Sequence, residues 1–185
     1  MRVIQPGEIL AGHRVSLRLC ELSDCTDRYV AWLADPEVNV FLETRWSEQT
    51  QESIRGFVAS MLESSNSYLF AIVDGSTDRH IGNIKVGPVI AHHSFADVSY
   101  FIGEREVWGR GLATEAVRLA TRFGFDRLGL HRLQAGLYET NIGSFRVLEK
   151  AGYVYEGRLA KQLKGKDGWE DHVWFGALRD TWTWT

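Results

Sequence analysis

The chain has 185 residues, 44% hydrophobic and 24% charged, which suits one soluble domain with room for a buried core. A formal net charge of −3 provides no field to gather nucleic acid, and no run approaches the ~20 apolar residues of a membrane-spanning helix. Two cysteines, Cys20 and Cys25, cannot build a disulfide framework and have no partner at metal-ligand spacing. The N-terminus shows no charged-then-apolar leader, so the expectation is one domain over residues 1–185, cytoplasmic, with no metal, nucleic acid or membrane partner.

Val15–Leu19 alternates apolar and polar as a half-buried strand does. Ser23 or Asp24 then offers an N-cap for a helix carrying Tyr29, Val30, Trp32 and Leu33, which Asp35-Pro36 ends. Val38 to Trp46 has no period. Ser47 to Glu63 reads as a second helix with Ile54, Phe57, Val58, Met61 and Leu62 on its apolar face. Leu69–Val73, Ile81–Val89 and Ala96–Ile102 form a three-strand meander, with Pro88 marking an end or bulge. A helix follows from Leu112 to about Leu128, with Gly129 beyond its end, then a strand over Leu133–Tyr138 and a helix over Ile142–Ala151 with Asn141 as N-cap. Tyr153–Leu159 and Trp169–Leu178 make a final hairpin, and Lys161, Lys164 and Lys166 read as its solvated tip. Trp174, Trp182 and Trp184 suggest a packed C-terminal tail. The order predicts an α+β fold with a mostly antiparallel sheet and one crossover.

The stretch Trp108-Gly109-Arg110-Gly111-Leu112-Ala113-Thr114 joins the third meander strand to the helix from Leu112. The first N–H groups of a helix have no internal partner, and the helix dipole adds partial positive charge there. Gly109 and Gly111 let an anion approach the backbone, and Arg110 can add a charged contact. The same residues also make a plain strand–turn–helix junction.

Trp108 to Glu115, with Asn141-Ile142-Gly143-Ser144, Glu149 to Tyr153 and Glu156-Gly157, resembles the GNAT superfamily of acetyl-CoA-dependent N-acetyltransferases. The branch most resembled contains the ribosomal-protein alanine acetyltransferases. The resemblance covers Val15 to Leu178 and implies a mixed, mostly antiparallel sheet with a splayed strand pair, flanked by about four helices. It implies that N–H groups from Gly109 to Thr114, through Arg110, Gly111, Leu112 and Ala113, hold the CoA pyrophosphate. Trp108 stands where the superfamily has Gln or Arg and is like this branch. The pantetheine arm would lie between Ala96–Ile102 and Leu133–Tyr138. N–H groups near Phe101, Ile102 and Gly103 would polarise the acetyl carbonyl, and Asn141 would bond the arm.

The superfamily's usual acid tyrosine falls on Leu148, so the resemblance suggests Ser144 as the group that protonates the departing thiolate, with Tyr138 as the alternative. Glu104 is the first candidate base, acting through water, and Glu43, Asp171, His172 and the His92-His93 pair are others. Short patches, Ile81–Pro88 and Leu130–Gly136, look like amino-sugar-nucleotide acetyltransferases. The acceptor is therefore a small-molecule or peptide amine. The resemblance implies a sugar-nucleotide amine or, alternatively, a protein N-terminus, polyamine or aminoglycoside, and the expected assembly is a monomer or homodimer. A CoA-binding module without turnover is the reading from another class.

Overall fold

The structure, a computed structural model, describes residues 3–184. The chain runs through β1 (Ile9–Ala11), β2 (Val15–Leu19), α1 (Asp27–Ala34), α2 (Pro36–Asn39), α3 (Gln51–Glu63), β3 (Tyr68–Asp74), β4 (Arg79–Ile90) and β5 (Phe95–Ile102). It continues through α4 (Leu112–Arg122), β6 (Arg132–Tyr138), α5 (Ile142–Lys150), β7 (Val154–Lys164) and β8 (Trp169–Leu178). The strands form one eight-stranded sheet in the order β1-β2-β3-β4-β5-β6-β8-β7. Every neighbouring pair is antiparallel except β5 and β6, which α4 connects as the crossover.

Strand alternation divides the core in two. Phe70 and Ile72 of β3 face α4 and α5 with Val15, Leu17, Ala116, Val117, Leu119 and Phe123. Leu69 of the same strand turns to the other face, where Tyr29, Trp32, Leu33, Ile54 and Val58 of the early helices close over it. α4 is the most enclosed helix, and burying each large apolar side chain there stabilises the fold by roughly 1.5–3 kcal/mol.

Several expectations are corrected by local chemistry. The expected cap of α1 at Ser23 or Asp24 falls instead on Thr26, because buried Asp24 is held in the fork of Arg18 at 2.7 and 2.8 Å. The aperiodic stretch contains the one-turn α2, with Pro36 at its first turn and Asp35 as cap, so five α-helices flank the sheet among the described residues. α3 begins at Gln51 and not at Ser47, since Thr50 and Ser53 form a reciprocal capping box. β1 has three residues on an edge, too few for a sequence period. The predicted break at Pro88 is a register shift between Val86 and Val89. α4 gives way to a wider turn over Phe123–Arg127, and Gly129 follows at φ +67°. The tail is packed: Trp182 lies against Phe125 and donates to Ala151 C=O at 2.8 Å.

Candidate functional site

Beyond β5, Trp108 folds back and donates its indole N–H to Ile102 C=O at 2.9 Å. Gly109 and Gly111 follow at φ +75° and +79°, backbone that side-chain-bearing residues rarely adopt. Among the described residues, chain neighbours apart, no heavy atom lies within 4 Å of where a Cβ on Gly109 would sit, so the loop faces open space there. The first intrahelical bond runs from Glu115 N–H to Gly111 C=O at 3.2 Å, leaving the N–H groups of Leu112, Ala113 and Thr114 directed out of the helix end. The side chains of Leu112 and Thr114 are buried, whereas Arg110 is exposed.

A second clamp holds this loop. Arg14, on the β1–β2 turn, donates to Arg110 C=O at 2.7 Å and to Glu115 Oε2 at 3.2 Å. Glu115 Oε1 accepts the N–H groups of His13 and Arg14 at 2.5 and 2.9 Å. Burial alone would raise the Glu115 pKa, but those two N–H groups and the guanidinium hold it below the ordinary value. Sequence reasoning missed Arg14 and Glu115, because their partners lie about a hundred residues away and no spacing announces them. The open Gly109, the outward helix N–H groups and a nearby guanidinium fit a pyrophosphate.

The parallel strands pair over Phe95–Asp97 with Arg132–Gln134 and then part. Gly103 N–H donates to Ile81 C=O at 2.8 Å, and antiparallel rungs alternate, so Phe101 also turns its backbone toward β4. Of the three expected donors, Phe101 and Gly103 are thereby committed, and Ile102 directs its N–H to the opening. Across it, Asn141 caps α5 by accepting Ser144 N–H at 3.1 Å. Tyr100 donates to Ser144 C=O at 3.3 Å, joining β5 to that helix start. Leu148, the superfamily-tyrosine position, is the buried residue of α5 and lies in the main core.

Glu104 stands two residues beyond Ile102. It is held by Arg28 and Arg79, both at 3.4 Å, and accepts the Trp32 indole N–H at 3.3 Å. Those partners belong to α1 and β4. The exposed His92-His93 pair sits in the turn before β5.

Tyr138, at the end of β6, belongs to a polar group built from three parts of the chain. It donates to Glu43 Oε1 at 2.7 Å and accepts from Arg45 at 3.0 Å. Arg45 also donates to Lys164 C=O at 2.6 Å, and its guanidinium lies 4.5 Å from the Trp46 ring centroid and 4.8 Å from that of Tyr138. Trp46 donates to Glu43 Oε2 at 3.1 Å, and the Lys164 ammonium lies 5.8 Å from its ring. The aperiodic segment is therefore tied to both β6 and the final hairpin, and Lys164 is more than a solvated tip. His172 is the direct strand partner of Tyr138. Its neighbour Asp171 is structural: it accepts Lys161 N–H at 2.8 Å and pairs with Arg158 at 2.9 Å.

The acetyltransferase (GNAT) domain family model matches residues 14–154. The probable N-acetyltransferase YjcK of Bacillus subtilis (strain 168) is 42% identical over 112 residues, which are 60% of this chain and 61% of that protein, so the match spans less than two thirds of its length. The crystal structure of ribosomal-protein-S5-alanine acetyltransferase from Vibrio fischeri superposes with a TM-score of 0.80 at 22% identity, covering 95% of this chain and 99% of the other. Spermidine N-acetyltransferase from Vibrio cholerae, in complex with CoA and spermine, superposes at 0.79 with 18% identity, covering 90% and 96%. The two structures speak to the fold, and the family match spans both the glycine loop and the parted strands. The chain belongs to the GNAT family of acetyltransferases.

Proposed function

We propose that this protein transfers an acetyl group from acetyl-CoA to a primary amine by direct attack in a ternary complex. The observation that carries this reading is the opening between β5 and β6, which begins beyond Asp97 and Gln134 and is flanked by the glycine loop and by Ser144. Acetyl-CoA supplies an acetyl thioester. The N–H groups of Gly109 and of Gly111 to Thr114 hold its pyrophosphate, that of Arg110 being donated to Val107 C=O at 3.4 Å. The Ile102 N–H faces the acetyl oxygen, and Asn141 bonds the arm. Ser144 supplies the proton that sulfur needs on leaving, with the Tyr138 hydroxyl as the alternative donor.

The acceptor enters beside Glu43, Arg45, Trp46 and the final hairpin. Cations and ring faces there support an amine carrying phosphates and a planar base, an amino-sugar nucleotide. A polyamine is the second reading, supported by the Glu43 carboxylate and by the spermidine enzyme among the structural relatives. The whole chain acts as one catalytic domain, a monomer or homodimer. Its two buried free thiols, Cys20 and Cys25, support a reducing cytoplasm. Release of free thiol from acetyl-CoA tests the reading across amino-sugar nucleotides, polyamines and peptides with N-terminal Ala or Ser. Tight CoA binding without turnover on any of these would make the protein a binding module.

A further inference from the structure

The geometry points to His172 as the general base that takes the proton from the acceptor amine. This rests on the acetyl-transfer reading above and adds the residue that prepares the nucleophile.

Three observations converge on the imidazole. First, His172 Nδ1 lies 2.7 Å from Gln162 Oε1. An amide oxygen only accepts hydrogen bonds, so this contact calls for the tautomer with its proton on Nδ1 and its lone pair on Nε2. Second, Nε2 stands directly over Gly136. A Cβ at that position would collide with it, so glycine is what admits the ring. Gly136 lies two residues beyond Gln134, the last residue of β6 paired with β5, and the ring therefore stands beside the opening. Third, Gln162 is brought there by a bulge. β7 slips register between Leu159 and Leu163, Lys161 adopts φ +50°, and Asp171 holds its N–H. Trp174 supports the ring from the other side, with centroids 4.6 Å apart.

The surroundings keep the base free. Burial lowers the His172 pKa below its ordinary value, and Glu43, the charged group that faces it, opposes this. Gln162 from β7, Gly136 and Tyr138 from β6, and Trp174 on its own strand are uncharged where they meet it. At neutral pH the imidazole is therefore unprotonated, as a base working near pH 7 requires.

The step balances. An R–NH3+ acceptor gives one proton to Nε2, and its nitrogen forms the bond to the acetyl carbon. The carbon–sulfur bond breaks with its electron pair on sulfur. A second proton leaves nitrogen as the amide forms and replaces the one that the Ser144 hydroxyl gives to sulfur, while the imidazolium returns its proton to water.

The test starts with the wild type on the amine panel, followed by His172→Asn and Gln162→Glu on the best acceptor. His172→Asn is expected to lower kcat/KM about 10²–10⁴-fold and abolish the acid limb of the pH profile, with CoA affinity and melting temperature preserved. Gln162→Glu is expected to move that limb to higher pH, because a carboxylate at Nδ1 favours the imidazolium. Long-range 15N–1H spectra of the ring are expected to show the proton on Nδ1. An active wild type with an unchanged His172→Asn profile overturns this assignment alone, as does a proton found on Nε2. A wild type that binds CoA and acetylates nothing overturns the transfer reading and this assignment together.

Discussion

Tyr138 donates its hydroxyl to Glu43 across 95 residues of sequence, tying the end of β6 to the segment between α2 and α3. Burial, reinforced by that carboxylate, pushes the Tyr138 pKa up to about 12. The phenol stays protonated at neutral pH and its proton is already engaged, so it suits positioning Glu43 better than protonating a thiolate. Tyr138→Phe is expected to raise the acceptor KM by roughly tenfold, the scale of one hydrogen bond to a charged group, with kcat little changed. Steady-state kinetics decide it: a collapse of kcat at constant KM would make Tyr138 the proton donor.

The glycine loop makes its own demand. A side chain on Gly111 must adopt φ +79° and meets the Arg14 guanidinium at 3.2 Å. Gly111→Glu adds strain of about 1–2 kcal/mol and puts a carboxylate where phosphates dock. CoA affinity measured by calorimetry is expected to fall by at least about tenfold, which corresponds to roughly 1.4 kcal/mol. Undiminished affinity would remove the loop from the donor site.

Ser144 can be separated from the architecture of its helix. The capping bond is made by its backbone N–H to Asn141, not by its hydroxyl. Ser144→Ala should leave the melting temperature in place and lower kcat about 10²–10⁴-fold at constant CoA affinity. Asn141→Ala should instead cost about 0.5–2 kcal/mol of stability. Installing the superfamily tyrosine as Leu148→Tyr overfills a fully buried position and should destabilise by about 1–3 kcal/mol without raising kcat. Melting curves and turnover of the three variants distinguish these roles.

Acid should weaken the fold through His80. The ring is buried edge-on to Tyr29 and Trp32, and among the described residues its Nε2 has no hydrogen-bond partner. Burial holds its pKa below the usual value, with Asp24 opposing at 3.8 Å. The unfolded chain therefore binds the proton more readily than the folded one. The contribution to stability is complete above about pH 6.5 and is lost as pH falls from there toward the folded pKa. Melting temperature should drop between about pH 7 and 5, and His80→Gln should flatten that slope. An equal slope in both proteins would place the acid sensitivity elsewhere, with His172→Asn as the next comparison.

What could be read from the sequence was what is local in it. The strand, Gly109, Gly111 and the amphipathic face of α4 lie within a few turns of chain, so order and period exposed them. Asn141 was legible as a cap for the same reason. Arg14 on Glu115 and Arg45 on Tyr138 depend on which distant parts of the chain become neighbours, while Gln162 reaches His172 within one hairpin through a register shift that no period announces. Glu104 was legible from its place after β5, but its ion pairs with Arg28 and Arg79 come from elements that the motif does not include.

The brief pairing of β5 with β6 has a mechanical meaning. Within the sheet, everything before the glycine loop meets everything after it over three rungs, Phe95 with Arg132, Ala96 with Leu133 and Asp97 with Gln134. Beyond them the sheet has a seam with a backbone donor, Ile102 N–H, along one lip. A ligand that bonds to that lip acts as a missing strand and joins the two halves. Its binding energy then adds to folding by mass action, about 2.7 kcal/mol at a hundred times its Kd. The donor would thus serve as mortar for the sheet as well as a reactant, and amide exchange should slow on both sides of the seam when it binds.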